Sequence, residues 1–155
     1  ARTRQYAHAS FPMEIDFSDI CQALDSLCCE MTNETEISFS CTGEKTDLTR
    51  EQKINILRIA QEALQNAIKH SKASKIQVSF EYDKDIVTLS IQDNGCGYTQ
   101  SSFGNKTNTG RRPRGLGIRS MEYRAHQIDG SFEIKTAKDK GTQIIVQFPV
   151  KAESK

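Results

Sequence analysis

IAQEALQNAIKHSKASKIQVSFEYDKDIVTLSIQDNGCG, residues 59–97, changes its hydrophobic period halfway along. Ala60, Ala63, Leu64, Ala67 and Ile68 recur at the spacing that gathers side chains on one face of a helix. From Lys75 onward the period is two. Ile76, Val78, Phe80 and Tyr82 alternate with Lys75, Gln77, Ser79 and Glu81, and Val87, Leu89 and Ile91 resume the alternation beyond Asp83-Lys84-Asp85. The stretch predicts a helix followed by a β-hairpin, each strand carrying one apolar face.

Upstream, Thr49 and Gln52 have the spacing of a capping box, so the helix is expected to begin there and to run to about Ser71. Before it, Ile37, Phe39 and Cys41 alternate with Glu36, Ser38 and Ser40 as a strand closed by Thr42-Gly43. Phe17, Ile20, Cys21, Leu24, Leu27, Cys28 and Met31 mark an amphipathic helix. Downstream, residues 95–117 hold six glycines and few large apolar side chains, a long irregular segment of a kind usually functional or disordered. A third helix is predicted from Leu116 to Ile128, stopping at Gly130 as a left-handed cap. Phe132 and Ile134, then Ile144, Val146 and Phe148, form two last strands around the Gly141 turn. This order predicts an α+β fold, a two-layer α/β sandwich with helices on one face of a mixed, mostly antiparallel sheet.

A chain of 155 residues is one domain's worth. Its 21 basic and 20 acidic side chains leave a net charge of +1, so the global field favours neither nucleic acid nor anionic lipid, and electrostatic specificity must be local. No run approaches about 18 apolar residues, and the N-terminal stretch lacks the order of a signal peptide, so the segment is expected neither to be secreted nor to span a membrane by itself. The five cysteines, Cys21, Cys28, Cys29, Cys41 and Cys96, are odd in number and form no CxxC or CxxH pair. That argues against a zinc site and a closed disulfide framework, and predicts packing thiols in a reducing cytoplasm.

On a helical wheel with Glu62 at zero, Asn66, Lys69 and His70 fall at about 40°, −20° and 80°, opposite the apolar face. Oxygen ligands and a cation on one stripe can hold a magnesium ion and a phosphate chain together, since magnesium needs only one or two protein oxygens. Asp93-Asn94-Gly95-Cys96-Gly97 follows a strand; it is turn chemistry, yet Gly95 and Gly97 let backbone approach a ligand closely, and the Asp93 carboxylate can accept from an exocyclic amine. Gly115-Leu116-Gly117 precedes the third helix, where orphan N–H groups favour phosphate. Between the glycine pairs, residues 99–114 carry Lys106, Arg111, Arg112 and Arg114 and no acid.

In this order, IAQEALQNAIKHS, DNGCGY from Asp93, GLGIRSM from Gly115 and GT-x-I-x-V from Gly141 resemble the N box, G1 box, G2 box and closing strand of the ATP-binding domain of bacterial sensor histidine kinases, the GHKL fold. The resemblance covers roughly residues 17–149. The EALxNAxKH form followed by A-S-K-I-x-V is most similar to the nitrate-sensor-type branch, whose partners are response regulators with helix-turn-helix output. The resemblance implies an ATP-dependent protein-histidine kinase catalytic domain over residues 17–155, with an ATP lid over about 98–114. Asn66 would coordinate Mg2+ with Glu62 beside it, where Glu62 could also polarise the attacking imidazole. Lys69 and His70 would face the phosphates. Asp93 would accept from the adenine amino group, supported by the Thr142 hydroxyl. Gly95 and Gly97 would admit the nucleotide; Gly115, Leu116 and Gly117 would hinge the lid and present backbone to phosphate. Arg111, Arg112 or Arg114 could reach the γ-phosphate, with Arg114 adjoining the second glycine pair.

The chain departs from the family pattern in three ways. His8, His70 and His126 precede Ala9, Ser71 and Gln127, so no histidine has the acidic neighbour of a phosphoacceptor box, and the acceptor is expected on a separate dimerisation domain. The lid lacks a clear phenylalanine box, with only Phe103 in its middle. Residues 1–16 are expected to be a linker or the tail of upstream dimerisation helices, in a homodimeric parent with or without a membrane anchor. Competing readings are a GHKL module with another output, such as an anti-sigma serine kinase or a regulatory ATP sensor, and a nucleic-acid clamp formed by the basic loop. The clamp is disfavoured because stacking aromatics are absent there apart from Phe103.

Overall fold

The computed structural model of the chain describes residues 19–69, 72–96 and 116–150. The expected linker over 1–16, Phe17 and the lid over 98–114 lie outside the described residues. The elements are α1 (Ile20–Met31), β1 (Glu36–Thr42), α2 (Arg50–Lys69), β2 (Lys75–Asp83), β3 (Ile86–Asp93), α3 (Leu116–Gln127), β4 (Ser131–Thr136) and β5 (Thr142–Pro149). The strands form one sheet in the order β1-β2-β3-β5-β4. Only the β1–β2 pair is parallel, because α2 crosses between those strands; the other three pairs are antiparallel. This is the mixed, mostly antiparallel two-layer arrangement expected from the order of elements.

The alternation in each central strand decides which face is covered. Val78, Phe80, Val87, Leu89 and Val146 are fully buried beneath the helices, whereas Gln77, Glu81, Gln92 and Gln147 on the opposite face are exposed. Leu24 of α1, Ile56, Ile59 and Leu64 of α2 and Met121 of α3 complete the core. Ala60, Ala63 and Ala67 of α2 are buried as well.

Helix ends follow side-chain chemistry. At α2 the Gln52 amide donates to Thr49 Oγ1 and Gln52 Oε1 accepts from the Thr49 amide, both at 3.0 Å, a reciprocal capping box. At α1 Asp19 caps the amides of Cys21 and Gln22 and pairs with Lys45 at 3.3 Å. Burial pushes the Asp19 carboxyl upward, but the Gln22 amide and Lys45 outweigh it and hold the group below its ordinary value. Its contribution to α1 is therefore present at neutral pH and lost as pH falls through that lowered value.

Two sequence expectations are corrected. The left-handed residue after α3 is Asp129, with φ 59°, and not Gly130. Aspartate tolerates that conformation, while Gly130 is needed for space: a Cβ there would stand 2.6 Å from the Gln147 carbonyl oxygen of β5. The second correction concerns the cysteines, expected to be packing thiols. Cys21 and Cys41 form a disulfide that fastens α1 to the edge strand β1. Cys28, Cys29 and Cys96 are not in a disulfide, the first buried and the other two exposed.

Reducing the Cys21–Cys41 bond, or replacing Cys41 by serine, is expected to lower the unfolding free energy by about 3 kcal/mol, given the chain length it closes. A lowered urea midpoint measures the loss. In the oxidised protein, iodoacetamide should modify Cys29 and Cys96 and spare Cys28, whose thiol is pushed up to about 12 by burial and by neighbouring Asp25 and Cys29. Peptide mapping of the alkylated protein reads this directly.

Candidate functional site

The apolar half of α2 is committed to the core, which leaves Glu62 and Asn66 half-buried and Lys69 exposed at its last turn. Glu62 and Asn66 are one turn apart, so their side chains share a stripe. That stripe meets the start of α3. A Cβ placed on Gly117 would overlap Glu62 Oε2, so the glycine is what lets the first turn of α3 rest against this carboxylate. Farther along, Arg124 Nη1 donates to Asn55 Oδ1 at 3.3 Å, and Asn55 Nδ2 donates to the Glu51 carbonyl at 2.9 Å, which fixes α3 along α2. Burial, then the charge of Arg124, lowers Arg58 from its usual value.

At the sheet end nearest the C-terminus of α2, β3 finishes at Asp93, which is buried and in register with Ile76 of β2 and Thr142 of β5. Asp93 Oδ1 accepts from the Gly95 amide at 2.8 Å, so the carboxylate closes the turn that follows it. Thr142 is also buried, and its hydroxyl shares a 2.9 Å hydrogen bond with the hydroxyl of Thr136, which also contacts the Gly141 carbonyl at 3.2 Å. Gly141 has φ 83°, and a Cβ there would overlap the Asp93 carbonyl oxygen. The β4–β5 turn can lie against Asp93 because position 141 has no side chain.

Two groups of the expected site residues are thus organised: Glu62, Asn66 and Lys69 on α2 with Gly117 on α3, and Asp93 and Gly95 with Thr142 at the strand ends. Leu116 begins α3. His70, Gly97, Arg111, Arg112, Arg114 and Gly115 lie outside the described residues. The sequence reading missed Thr136, Asn55 and Arg124. Thr136 opposes Thr142 in the β4–β5 register, so its role becomes visible only once β4 is aligned. Among the described residues no cluster of three or more His, Cys, Asp or Glu side chains is placed to hold a metal, and no helix is long and apolar enough to cross a membrane.

The family described as "Histidine kinase-, DNA gyrase B-, and HSP90-like ATPase" matches residues 51–152. The signal transduction histidine-protein kinase/phosphatase DegS of Bacillus subtilis (strain 168) is 33% identical over 123 residues, covering 78% of this chain and 31% of DegS. The nitrate/nitrite sensor protein NarX of Escherichia coli (strain K12) is 35% identical over 97 residues, covering 63% of this chain and 15% of NarX. The chain spans less than half the length of these relatives. The solved ATP-binding domain of PrrB from Mycobacterium tuberculosis shares the fold, with a TM-score of 0.63 at 17% identity over 89% of this chain and 96% of that one.

Replacing Gly141 by alanine should cost more than about 1 kcal/mol in urea denaturation, because the positive φ disfavours any L side chain and the new methyl meets the Asp93 carbonyl.

Proposed function

The chain belongs to the histidine kinase-, DNA gyrase B- and HSP90-like ATPase family, as a sensor-kinase-type ATP-binding catalytic domain, and from that premise we propose that it passes the γ-phosphoryl group of ATP to a histidine on a separate dimerisation domain of the same kinase. The observation that carries this reading is the arrangement just described: Asp93 and Thr142 in register at one end of the sheet, with α2 leading its Glu62–Asn66 stripe, packed on Gly117, toward that end. An aminopurine and a phosphate chain need these two chemistries a few ångströms apart.

In this reading Asp93 accepts from the adenine amino group, and Thr142, held by Thr136, supports that edge of the base. Gly95 and Gly97 let backbone lie against the ring. Lys69 and His70 face the phosphates, and Gly115, Leu116 and Gly117 offer backbone amides at the start of α3, where the helix dipole favours anions. Arg114 would reach the γ-phosphate when the lid, residues 98–114, closes. Mg2+ would be held by Asn66 with Glu62 beside it and would neutralise phosphate charge; two half-buried side-chain oxygens one turn apart fit an ion that takes its other ligands from phosphate and water. Glu62 would also orient the attacking imidazole. Phosphoryl transfer asks a protein chiefly for such positioning and charge stabilisation.

The parent would be a homodimeric two-component sensor, with residues 1–16 leading from its dimerisation helices. It would be possessed of a cytoplasmic kinase core, whether or not it carries a membrane anchor, and would relay phosphate to a response regulator with a DNA-binding output domain, without itself contacting nucleic acid.

Calorimetric titration with ADP and magnesium tests the binding half: saturable, magnesium-dependent heat is expected, and Asn66→Ala should remove the magnesium dependence while preserving the fold. Equal Mg-ADP affinity in both proteins would count against Asn66 as the ligand. Asp93→Ala should abolish the preference for ATP over GTP, read by competition. Incubation with ATP and the parent's dimerisation domain tests the transfer half. Acid-labile phosphohistidine is expected, and acid-stable phosphoserine on a partner would instead point to an anti-sigma type of kinase.

A further inference from the structure

Asn94 follows Asp93, and the turn places its side chain among different partners. Its Oδ1 accepts from the backbone amides of both Ser74 and Lys75 at 3.0 Å, and its Nδ2 donates to Ser74 Oγ at 3.0 Å. Its own amide donates to the Lys75 carbonyl at 3.2 Å. One residue after β3 therefore makes four hydrogen bonds to two residues some twenty positions earlier in the chain.

Ser74 ends the connection between α2 and β2, and Lys75 opens β2. From the other side the same segment is held by β1: Thr35 Oγ1 donates to the Ala73 carbonyl at 3.1 Å, and the Glu36 amide donates to the Ser74 carbonyl at 2.9 Å. Ala73 is buried, and its amide reaches back to the Ala67 carbonyl in the last turns of α2. The chain leaving α2 is thus gripped between β1 and Asn94.

We infer that Asn94 is a positioning residue that sets the distance between the Asp93 end of the site and the Asn66–Lys69 end. This rests on the proposed nucleotide site, whose two ends those residues form. Asp93 and Asn94 divide the work of one turn. The buried carboxylate closes the turn, while the exposed amide links it to the connection leaving α2. Ordinary turn chemistry would not require an amide that satisfies two amides of a distant segment. The β-ladder alone fixes little of this segment, because the register of β2 with β3 begins at Ile76; beyond it the Asn94 backbone amide reaches the Lys75 carbonyl, and the Asn94 side chain adds the bonds to the Ser74 and Lys75 amides. Without the Asn94 side chain, both ends of the site persist and the bonds from Thr35, Glu36 and the Asn94 backbone remain, but the separation of the two ends is less tightly defined. A ligand that touches one end should not register the loss, whereas one that spans both should.

The experiment compares adenosine, which reaches only the Asp93 end, with Mg-ADP, which spans both, in wild type, Asn94→Ala and Asn94→Asp, with melting curves recorded for each. Asn94→Ala is expected to weaken Mg-ADP by about tenfold while changing adenosine by less than about twofold. Asn94→Asp should restore Mg-ADP affinity, because its carboxylate accepts the same two amides and the Ser74 hydroxyl can donate to it. Equal Mg-ADP affinity in wild type and Asn94→Ala, parallel loss of both ligands, or failure of Asn94→Asp to rescue would each overturn the inference. If Asn94→Ala does not fold, the ratio is read in Asn94→Ser, which cannot reach both amides, and a wild-type ratio there overturns it equally. Wild-type protein that binds Mg-ADP in none of these assays would instead remove the nucleotide reading itself.

Discussion

The side chain of Gln52 makes two connections that hold α2 in place. Its Oε1 closes the capping box with the Thr49 amide, and its Nε2 donates to the Pro149 carbonyl at 2.9 Å, at the far end of β5. The residue is almost fully buried, so neither bond can be exchanged for water without leaving a desolvated polar group. A helix of 20 residues, about 30 Å long, is thereby fastened at its N-terminus to the sheet. Its other end runs into the connection gripped by β1 and Asn94. Glu62 and Asn66 lie between two fixed points, which is the condition a helix must meet before its polar stripe can hold anything at a defined distance from the strands.

The sheet supplies the complementary constraint. β3 is the central strand, paired along its length with β2 on one side and β5 on the other. A slip of one residue would turn Val87, Leu89 and Ile91 out of the core, so the register is strongly specified. The same register puts Asp93 opposite Thr142. The position of a polar pair at the sheet's end is therefore set by apolar packing several residues away, and the pair itself need not contribute stability.

How much of this could be read from the sequence depends on how far apart the interacting residues lie. The capping box at Thr49 and Gln52 spans three residues, and its geometry is the expected one. The alternation in β2 and β3 is equally local, and the hairpin it predicts across Asp83-Lys84-Asp85 forms, with Asp83 still paired to Ile86 and Lys84 at φ 56° in the turn. The disulfide was not legible, because Cys21 and Cys41 meet only when α1 lies across β1, a docking that cysteine spacing does not encode. Thr136, and the reach of Asn94 beyond the turn it was read in, are illegible for the same reason: their partners lie on other elements, and a threonine or an asparagine in a turn is unremarkable until those elements are aligned. Gly130 shows the converse failure. The sequence marks its position as a left-handed cap, whereas the cause is the proximity of β5.

The contact between Glu62 and Gly117 imposes an electrostatic condition on the proposed nucleotide site. The first turn of a helix offers amides without intrahelical partners and the positive end of a dipole, which attract phosphate, but in α3 a carboxylate already rests against that turn. Two anionic groups brought together in a partly desolvated cleft repel one another strongly. A divalent cation shared between carboxylate and phosphate reverses the sign of that interaction, and Asn66, neutral and one turn away, can ligate such an ion without adding another negative charge. On this argument the proposed requirement for magnesium follows from where Gly117 allows Glu62 to sit, and an amide at position 62 would weaken the need for the metal along with its binding.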